Sequence, residues 1–222
     1  MRTAMHPAAD PAAAAGPLTF AILGSGRGSN AEALMAAFAS GFLPARLAVV
    51  ATDRAGAPIL DKAAARGYPT LLVESRGRPR PEHESELLLR LAEHGVQHLL
   101  LAGYMRILGS TFLRGFAGTI LNIHPSLLPD FPGLHAVERQ WAAGVRVAGA
   151  TVHLVDDGVD TGPPLLTGSL EVRGDEGPEG LASRILTEVE HVIYPRAVWL
   201  HCQRLRQQTL ENPLQKQAEN QT

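Results

Sequence analysis

Short apolar, β-branched runs recur along this chain, and most are followed by a turn residue and then by a stretch of helical composition. Residues 18–23 (Leu-Thr-Phe-Ala-Ile-Leu) are the first such run; 45–51, 69–73, 97–102 and 119–123 follow. Helices are expected between them over 31–38, 57–66, 82–94 and 110–116. Strands and helices alternating at this spacing leave one economical solution, in which each helix carries the chain back over a sheet of mainly parallel strands. Two last runs, 147–155 and 164–172, are joined by the short loop 156–162 and should therefore be antiparallel to each other. A helix over 135–143 precedes that pair, and a long one over 178–205, interrupted at Pro195, follows it. The expected fold class is α/β: a single-domain, mainly parallel twisted sheet of about seven strands flanked by helices, Rossmann-like, with an antiparallel pair near the C-terminal end. Residues 1–17 read as a disordered leader, 18–205 as the folded domain and 206–222 as a flexible polar tail.

The composition narrows the partners. Hydrophobic residues at 45% are ample for a core, while a formal charge of −2 without a basic run argues against nucleic acid or an anionic membrane surface. No apolar run reaches the ~18 residues of a membrane-spanning helix. Cys202 is the single cysteine, so no disulfide can form within the chain, and a cytoplasmic setting follows.

Chemistry concentrates where expected strands end. Alternation along 119–123 places Asn122 and His124 on one side of the strand as it stops at Pro125, with a loop rich in proline, up to Gly133, beyond it. An amide donor beside an imidazole suits a developing negative charge and a moving proton; a core Asn and His satisfied by backbone groups is the plain alternative. After the first strand, Gly24, Gly26 and Gly28 frame Ser25 and Arg27 and lead to Ser29 and Asn30 at a helix start, a cradle for an anion, with Ser29 also suited to cap the helix. Ser29 stands where the dinucleotide fingerprint has its third glycine, yet Asp53 after the second strand could act as that fold's ribose ligand, so a dinucleotide remains open. After the fourth strand, Gly103 allows a turn, and Met105, Ile107 and Leu108 offer an adaptable apolar surface for a flat heteroaromatic ligand, unless they are ordinary core. Arg106 reads as holding a neighbouring loop. The acidic loop Asp156, Asp157, Gly158, Val159, Asp160, Thr161, Gly162 is either a polar turn or a source of a carboxylate, Asp160, to orient His124. It does not match the calcium-loop pattern, and a zinc site from His124, His153 and Asp160 lacks tight ligand spacing. His153 is a supporting residue or a satisfied core histidine.

Together the motifs resemble the folate-dependent formyltransferase family. The matching text is residues 24–30, 101–108, 121–129, 152–155 through 160–163, and Glu190-His191-Val192-Ile193-Tyr194-Pro195; the likeness spans about residues 18 to 200 in consistent order and spacing. The resemblance implies transfer of a formyl group from the co-substrate 10-formyltetrahydrofolate to the amine of glycinamide ribonucleotide (GAR), a step of purine biosynthesis, with no metal required. It implies a catalytic trio of Asn122, His124 and Asp160. It assigns the GAR phosphate and ribose to Gly26, Arg27, Gly28, Ser29, Asn30 and Glu190, and the pterin to Met105, Arg106, Ile107, Leu108, Asn122, Val155, Asp156, Asp157, Gly158 and Asp160, with His153 and His135 in support. A homodimer is left open. A formyltetrahydrofolate hydrolase would share the trio but use water as acceptor; relatives with that activity carry an additional N-terminal domain, for which only about 17 residues are at hand here. Formyltransferases acting on transfer RNA or sugar nucleotides usually add a C-terminal domain. A non-catalytic folate-binding module would leave the trio without a joint purpose.

Overall fold

The strand order of the sheet reverses beside its first strand, and that reversal decides where a ligand can sit. The computed structural model describes residues 17–219. Its strands are β1 (Thr19–Leu23), β2 (Arg46–Thr52), β3 (Thr70–Leu72), β4 (His98–Leu101), β5 (Thr119–His124), β6 (Val147–Leu154) and β7 (Pro164–Glu171). They form one seven-stranded sheet in the order β3-β2-β1-β4-β5-β6-β7. The first five strands are parallel, and β6 runs antiparallel to both β5 and β7, so the antiparallel part takes in three strands rather than the last two alone. The chain leaves β1 for one flank and returns to the other at β4, which opens a crevice outside the carboxyl ends of β1 and β4.

The helices are α1 (Ser29–Ala39), α2 (Pro58–Ala64), α3 (Arg80–Glu93), α4 (Ser110–Gly115), α5 (Ala136–Ala142), α6 (Gly177–Arg184), a π-helical turn (Ile185–Glu190) and α7 (His191–Glu219). Period-two alternation splits the core between the sheet's two faces. Phe20 and Ile22 pack with Leu34 and Met35 of α1 and with Tyr194 and Val198 of α7. Ala21 and Leu23 face the other way, toward Leu87 and Leu91 of α3 and Phe112 of α4. Tyr194 is fully buried, and its hydroxyl lies 2.9 Å from the carbonyl oxygen of Leu101 and 3.1 Å from that of Leu121, so α7 is hydrogen-bonded to the carboxyl ends of β4 and β5.

Two features of the last helix differ from expectation. Its interruption is the π-helical turn over Ile185–Glu190, while Pro195 lies inside α7 without ending it. Proline removes one donor there, but the buried neighbours Tyr194, Ala197 and Val198 keep the segment packed on the sheet. Helix also continues to Glu219 through the stretch read as a polar tail from 206, where Gln, Leu, Glu, Lys and Ala are all good helix formers. The expected leader lies outside the described residues except for Pro17, as do residues 220–222.

At the amino ends of β4 and β5, away from the crevice, Thr119 Oγ1 lies 2.7 Å from His98 Nδ1 and 2.7 Å from His201 Nε2. Burial lowers the His98 pKa to about 4 and lowers that of His201. Between the ordinary histidine pKa and about 4 the unfolded chain holds a proton that the folded His98 refuses, so stability is full at neutral pH and falls as pH drops through that window. His98 alone should cost about 2 kcal/mol of unfolding free energy at pH 5 relative to pH 7.5. Urea titrations at the two pH values check this, with His98→Gln expected to show the smaller loss.

Candidate active site

β5 ends by delivering Asn122 and His124 to the crevice, as alternation requires, and β6 brings His153 directly opposite Asn122 in the ladder. The loop between β6 and β7 then folds Asp160 back over this pair. Asp160 Oδ2 is 3.1 Å from His124 Nδ1 and accepts a hydrogen bond from the Gly133 N–H at 2.8 Å. Asp160 Oδ1 is 3.4 Å from Asn122 Nδ2 and 3.5 Å from His153 Nε2, which is itself 3.2 Å from Asn122 Nδ2. The second ring nitrogen of His124, Nε2, is 2.9 Å from the carbonyl oxygen of Phe131. The ring of His124 therefore stands between a main-chain carbonyl and the Asp160 carboxylate, both of which can only accept. Burial pushes the Asp160 carboxyl up, but the hydrogen bond with His153, the Gly133 N–H and the charges of His124 and His153 outweigh it and hold the group below its ordinary value.

The backbone is strained where it presents these groups. Among the described residues, the non-glycine residues with positive φ are Phe131 (53°), His135 (56°) and Asp160 (56°), and all three belong to the walls or contacts of this one crevice. Left-handed conformations of this kind cost about 1–3 kcal/mol each and are kept where surrounding structure over-determines them. The proline-rich loop is fixed by Ser126 Oγ on the Asp130 carbonyl (2.6 Å), Thr151 Oγ1 on the Ser126 carbonyl (2.7 Å) and Gln140 Nε2 on the Pro125 carbonyl (2.8 Å). Leu128–Pro129 is a cis peptide.

Beside the trio lies a cleft of about 510 Å³. Its apolar wall is exposed to an unusual degree: Met105 at 59%, Ile107 at 58%, Val159 at 46% and Leu134 at 76% of their full accessibility. Such a wall suits a flat, partly apolar ligand. The expected pterin residues divide. Met105, Ile107, Asn122 and Asp160 line the cleft, whereas Leu108 is buried in the core under α3, the ordinary packing role. Arg106 donates to the Ser75 carbonyl at 3.3 Å and so holds the neighbouring loop. Val155 is half-buried against the same core as Leu108, and Asp156 makes a local turn, accepting from Gly158 N–H at 3.0 Å and Thr161 Oγ1 at 2.7 Å. Asp157 and Gly158 are exposed on that turn and outside the cleft's lining. Their contribution is to carry Val159 and Asp160 into place. His135 is exposed at the rim, 3.8 Å from Glu138, and does not join the trio.

The glycine loop after β1 is hydrogen-bonded to the loop after β4, through Ser25 N–H on the Gly103 carbonyl and Met105 N–H on Ser25 Oγ, both at 3.0 Å. Gly28 (φ 73°) is the N-cap of α1, and no side chain caps the helix; Ser29 occupies the first helical position instead of the capping one. The first-turn N–H groups are therefore directed at whatever anion the loop holds. A Cβ at Gly28 would come within 2.8 Å of Ile59, while one at Gly26 would meet nothing within 4 Å. Arg27 is exposed beside them. Asn30 donates through Nδ2 to Glu190 Oε2 on the π-helical turn, and Asn30 Oδ1, also buried, has no partner among the described residues. Burial raises the Glu190 pKa, and the Asn30 hydrogen bond pulls it partly back. Asp53 is not placed to serve a dinucleotide ribose: it is 2% exposed, and both its oxygens accept from serine hydroxyls.

Several contributors escaped the sequence reading. Phe131 and Gly133 act through a main-chain carbonyl and N–H, which no side-chain pattern reveals. Leu134 stands out in sequence only as an apolar residue between Gly133 and His135. Among the described residues, no cluster of three or more His, Cys, Asp or Glu side chains is disposed to hold a metal ion, and no helix is long and apolar enough to cross a membrane.

An α/β sheet with a glycine-rich loop at its switch point and an imidazole–carboxylate–amide trio lining an apolar cleft beside the carboxyl ends of β4 and β5 has the parts of a group-transfer enzyme. The family model described as formyl transferase matches residues 18–198. The chain belongs to the formyl transferase family. It is 38% identical over 180 residues to phosphoribosylglycinamide formyltransferase of Bacillus subtilis, covering 81% of this chain and 92% of that protein. It is likewise 38% identical to the human trifunctional purine biosynthetic protein adenosine-3, covering 81% of this chain but 18% of that longer protein. Among solved structures, glycinamide ribonucleotide transformylase 1 from Symbiobacterium toebii superposes with a TM-score of 0.81 at 42% identity, covering 84% of this chain and 88% of that one.

Proposed function

We infer that this enzyme transfers the formyl group of 10-formyltetrahydrofolate to the amine of glycinamide ribonucleotide, giving N-formylglycinamide ribonucleotide in purine biosynthesis. The observation that carries the assignment of roles is the 3.1 Å contact between His124 and Asp160 beside the Asn122 amide, in the lining of an apolar cleft. The GAR phosphate takes the N–H groups of the Gly26–Asn30 loop, Arg27 adds charge at its edge, and Glu190, held by Asn30, addresses the ribose hydroxyls. The pterin lies on Met105 and Ile107, with Val159 and Leu134 opposite.

The reaction forms a C–N bond from the GAR amine nitrogen to the formyl carbon and breaks the bond from that carbon to folate N10, with one proton passing from the first nitrogen to the second. Attack creates an oxyanion on the formyl oxygen. The Asn122 amide and a ring N–H of His124 supply donors for it; their present contacts to Asp160, His153 and Phe131 are between 2.9 and 3.4 Å, and the formyl oxygen competes for them as it approaches. Asp160, held as an anion, orients His124 and accepts the proton given up by the attacking amine, which then passes to folate N10 as the bond from that nitrogen to the formyl carbon breaks. A cytoplasmic setting goes with this reading, and the lone thiol of Cys202 is buried and free.

Water as acceptor would make the same site a hydrolase, and substrate omission separates the two. Loss of 10-formyltetrahydrofolate should be strictly dependent on GAR, with tetrahydrofolate and formylated GAR appearing in equal amounts. Comparable loss without GAR would assign the hydrolase.

A further inference from the structure

The buried carboxylate of Asp53 has no part in the chemistry above, yet it lies between the two substrate subsites. Asp53 follows β2 and is 2% exposed, and no Lys, Arg or His is within ion-pair distance of it among the described residues. A buried carboxylate of this kind must be matched by hydrogen bonds. Its Oδ1 accepts from Ser25 Oγ at 2.6 Å and its Oδ2 from Ser75 Oγ at 2.9 Å, while its own carbonyl accepts from the Ser75 N–H at 3.0 Å.

Each serine hydroxyl owns one hydrogen, and both are spent on Asp53. That fixes the Ser25 rotor, so that the lone pairs of Ser25 Oγ face outward and accept the Met105 N–H at 3.0 Å. The Ser25 N–H in turn donates to the Gly103 carbonyl at 3.0 Å. Ser25 belongs to the glycine loop that receives the GAR phosphate, and Gly103 and Met105 belong to the loop on which the pterin lies. On the far side, Ser75 passes its carbonyl to Arg106 of that same pterin loop at 3.3 Å. One carboxylate therefore orients the Ser25 hydroxyl of the acceptor loop, which holds the donor loop at Met105, and anchors Ser75, whose main-chain carbonyl holds the same donor loop at Arg106.

We propose that Asp53 is a positioning residue that locks the GAR loop and the folate loop to one another through the Ser25 hydroxyl. This rests on the assignment of those two loops above. Without the carboxylate, Ser25 loses the acceptor that sets its rotor, the Met105 N–H loses a fixed partner, and the spacing between the two loops relaxes.

The test is steady-state kinetics of purified Asp53→Ala, Ser25→Ala and the double variant, with both substrates varied, beside thermal unfolding of each. Asp53→Ala and Ser25→Ala should each raise KM for 10-formyltetrahydrofolate and for GAR together, by about tenfold, with kcat changed far less. The double variant should be no worse than the poorer single one, because both break the same link. Asp53→Asn, which keeps one acceptor oxygen, should recover part of the loss. A rise confined to one substrate, additive losses in the double variant, or unchanged KM values in a merely less stable protein would each overturn the proposal. Wild-type enzyme that turned over 10-formyltetrahydrofolate without GAR would instead indict the assignment of the loops' substrates, so the two failures are distinguishable.

Discussion

Asp160→Asn should slow single-turnover formylation of GAR by about 10³-fold while leaving the protein folded. The substitution is informative because of the backbone at that position. Asp160 has φ 56°, a conformation that Asn adopts at least as readily as Asp, so the loop has no new strain to relieve. The amide retains an oxygen that can accept from Gly133 and keep the loop on the proline-rich segment. What is lost is the negative charge. The ring of His124 then faces a neutral partner at 3.1 Å, and the attacking amine has no anionic acceptor for its proton. Rapid-quench measurement with enzyme in excess isolates the chemical step, and an unfolding scan confirms that the variant is folded. The same lowered carboxyl predicts that native stability drawn from Asp160 is present at neutral pH and is lost only as pH falls below the ordinary carboxylate value, through the folded one.

The second large effect separates two glycines that look alike in the sequence. Gly28→Ala should destabilise the protein by about 2–5 kcal/mol and raise KM for GAR at least tenfold, whereas Gly26→Ala should be close to neutral in stability. Gly28 sits at φ 73° as the N-cap of α1, and a Cβ there would stand 2.8 Å from Cγ1 and 2.9 Å from Cβ of Ile59, a fully buried residue of α2. Left-handed strain and overpacking add at that point, and any relaxation moves the first-turn N–H groups that hold the phosphate. At Gly26 there is open space and no positive φ. Chemical denaturation of the two variants, followed by GAR titration of each, gives the comparison directly.

The contrast shows which parts of the molecule can be read from the chain. The parallel sheet was legible because alternation of strand and helix constrains the connections, and Asn122 and His124 were legible together because a strand repeats every second residue. Asp160 was legible as one carboxylate of an acidic loop that could orient His124, its place in a catalytic trio came with the family resemblance, and the loop does bring that carboxylate to His124. Other elements turn on facts that residue identity does not encode. Ile107 and Leu108 are adjacent and similar, but once β4 has ended no period remains to say which faces the cleft and which the core. Asp53 follows a strand as a dinucleotide ligand would, and only the positions of Ser25 and Ser75 turn it inward. The π-helical turn that carries Glu190 to Asn30 has no sequence signature distinct from an α-helix, so Pro195 was the natural suspect for the interruption.

Formyl transfer by this site requires His124 and Asp160 to act as one unit. Single-turnover rates for His124→Asn, Asp160→Asn and the doubly substituted protein, measured at saturating 10-formyltetrahydrofolate and GAR, test that most directly. If the pair is one device, the double variant should react about as slowly as the slower single variant. Losses that multiply, or a folded variant of either kind that formylates GAR at close to the wild-type rate, would contradict it.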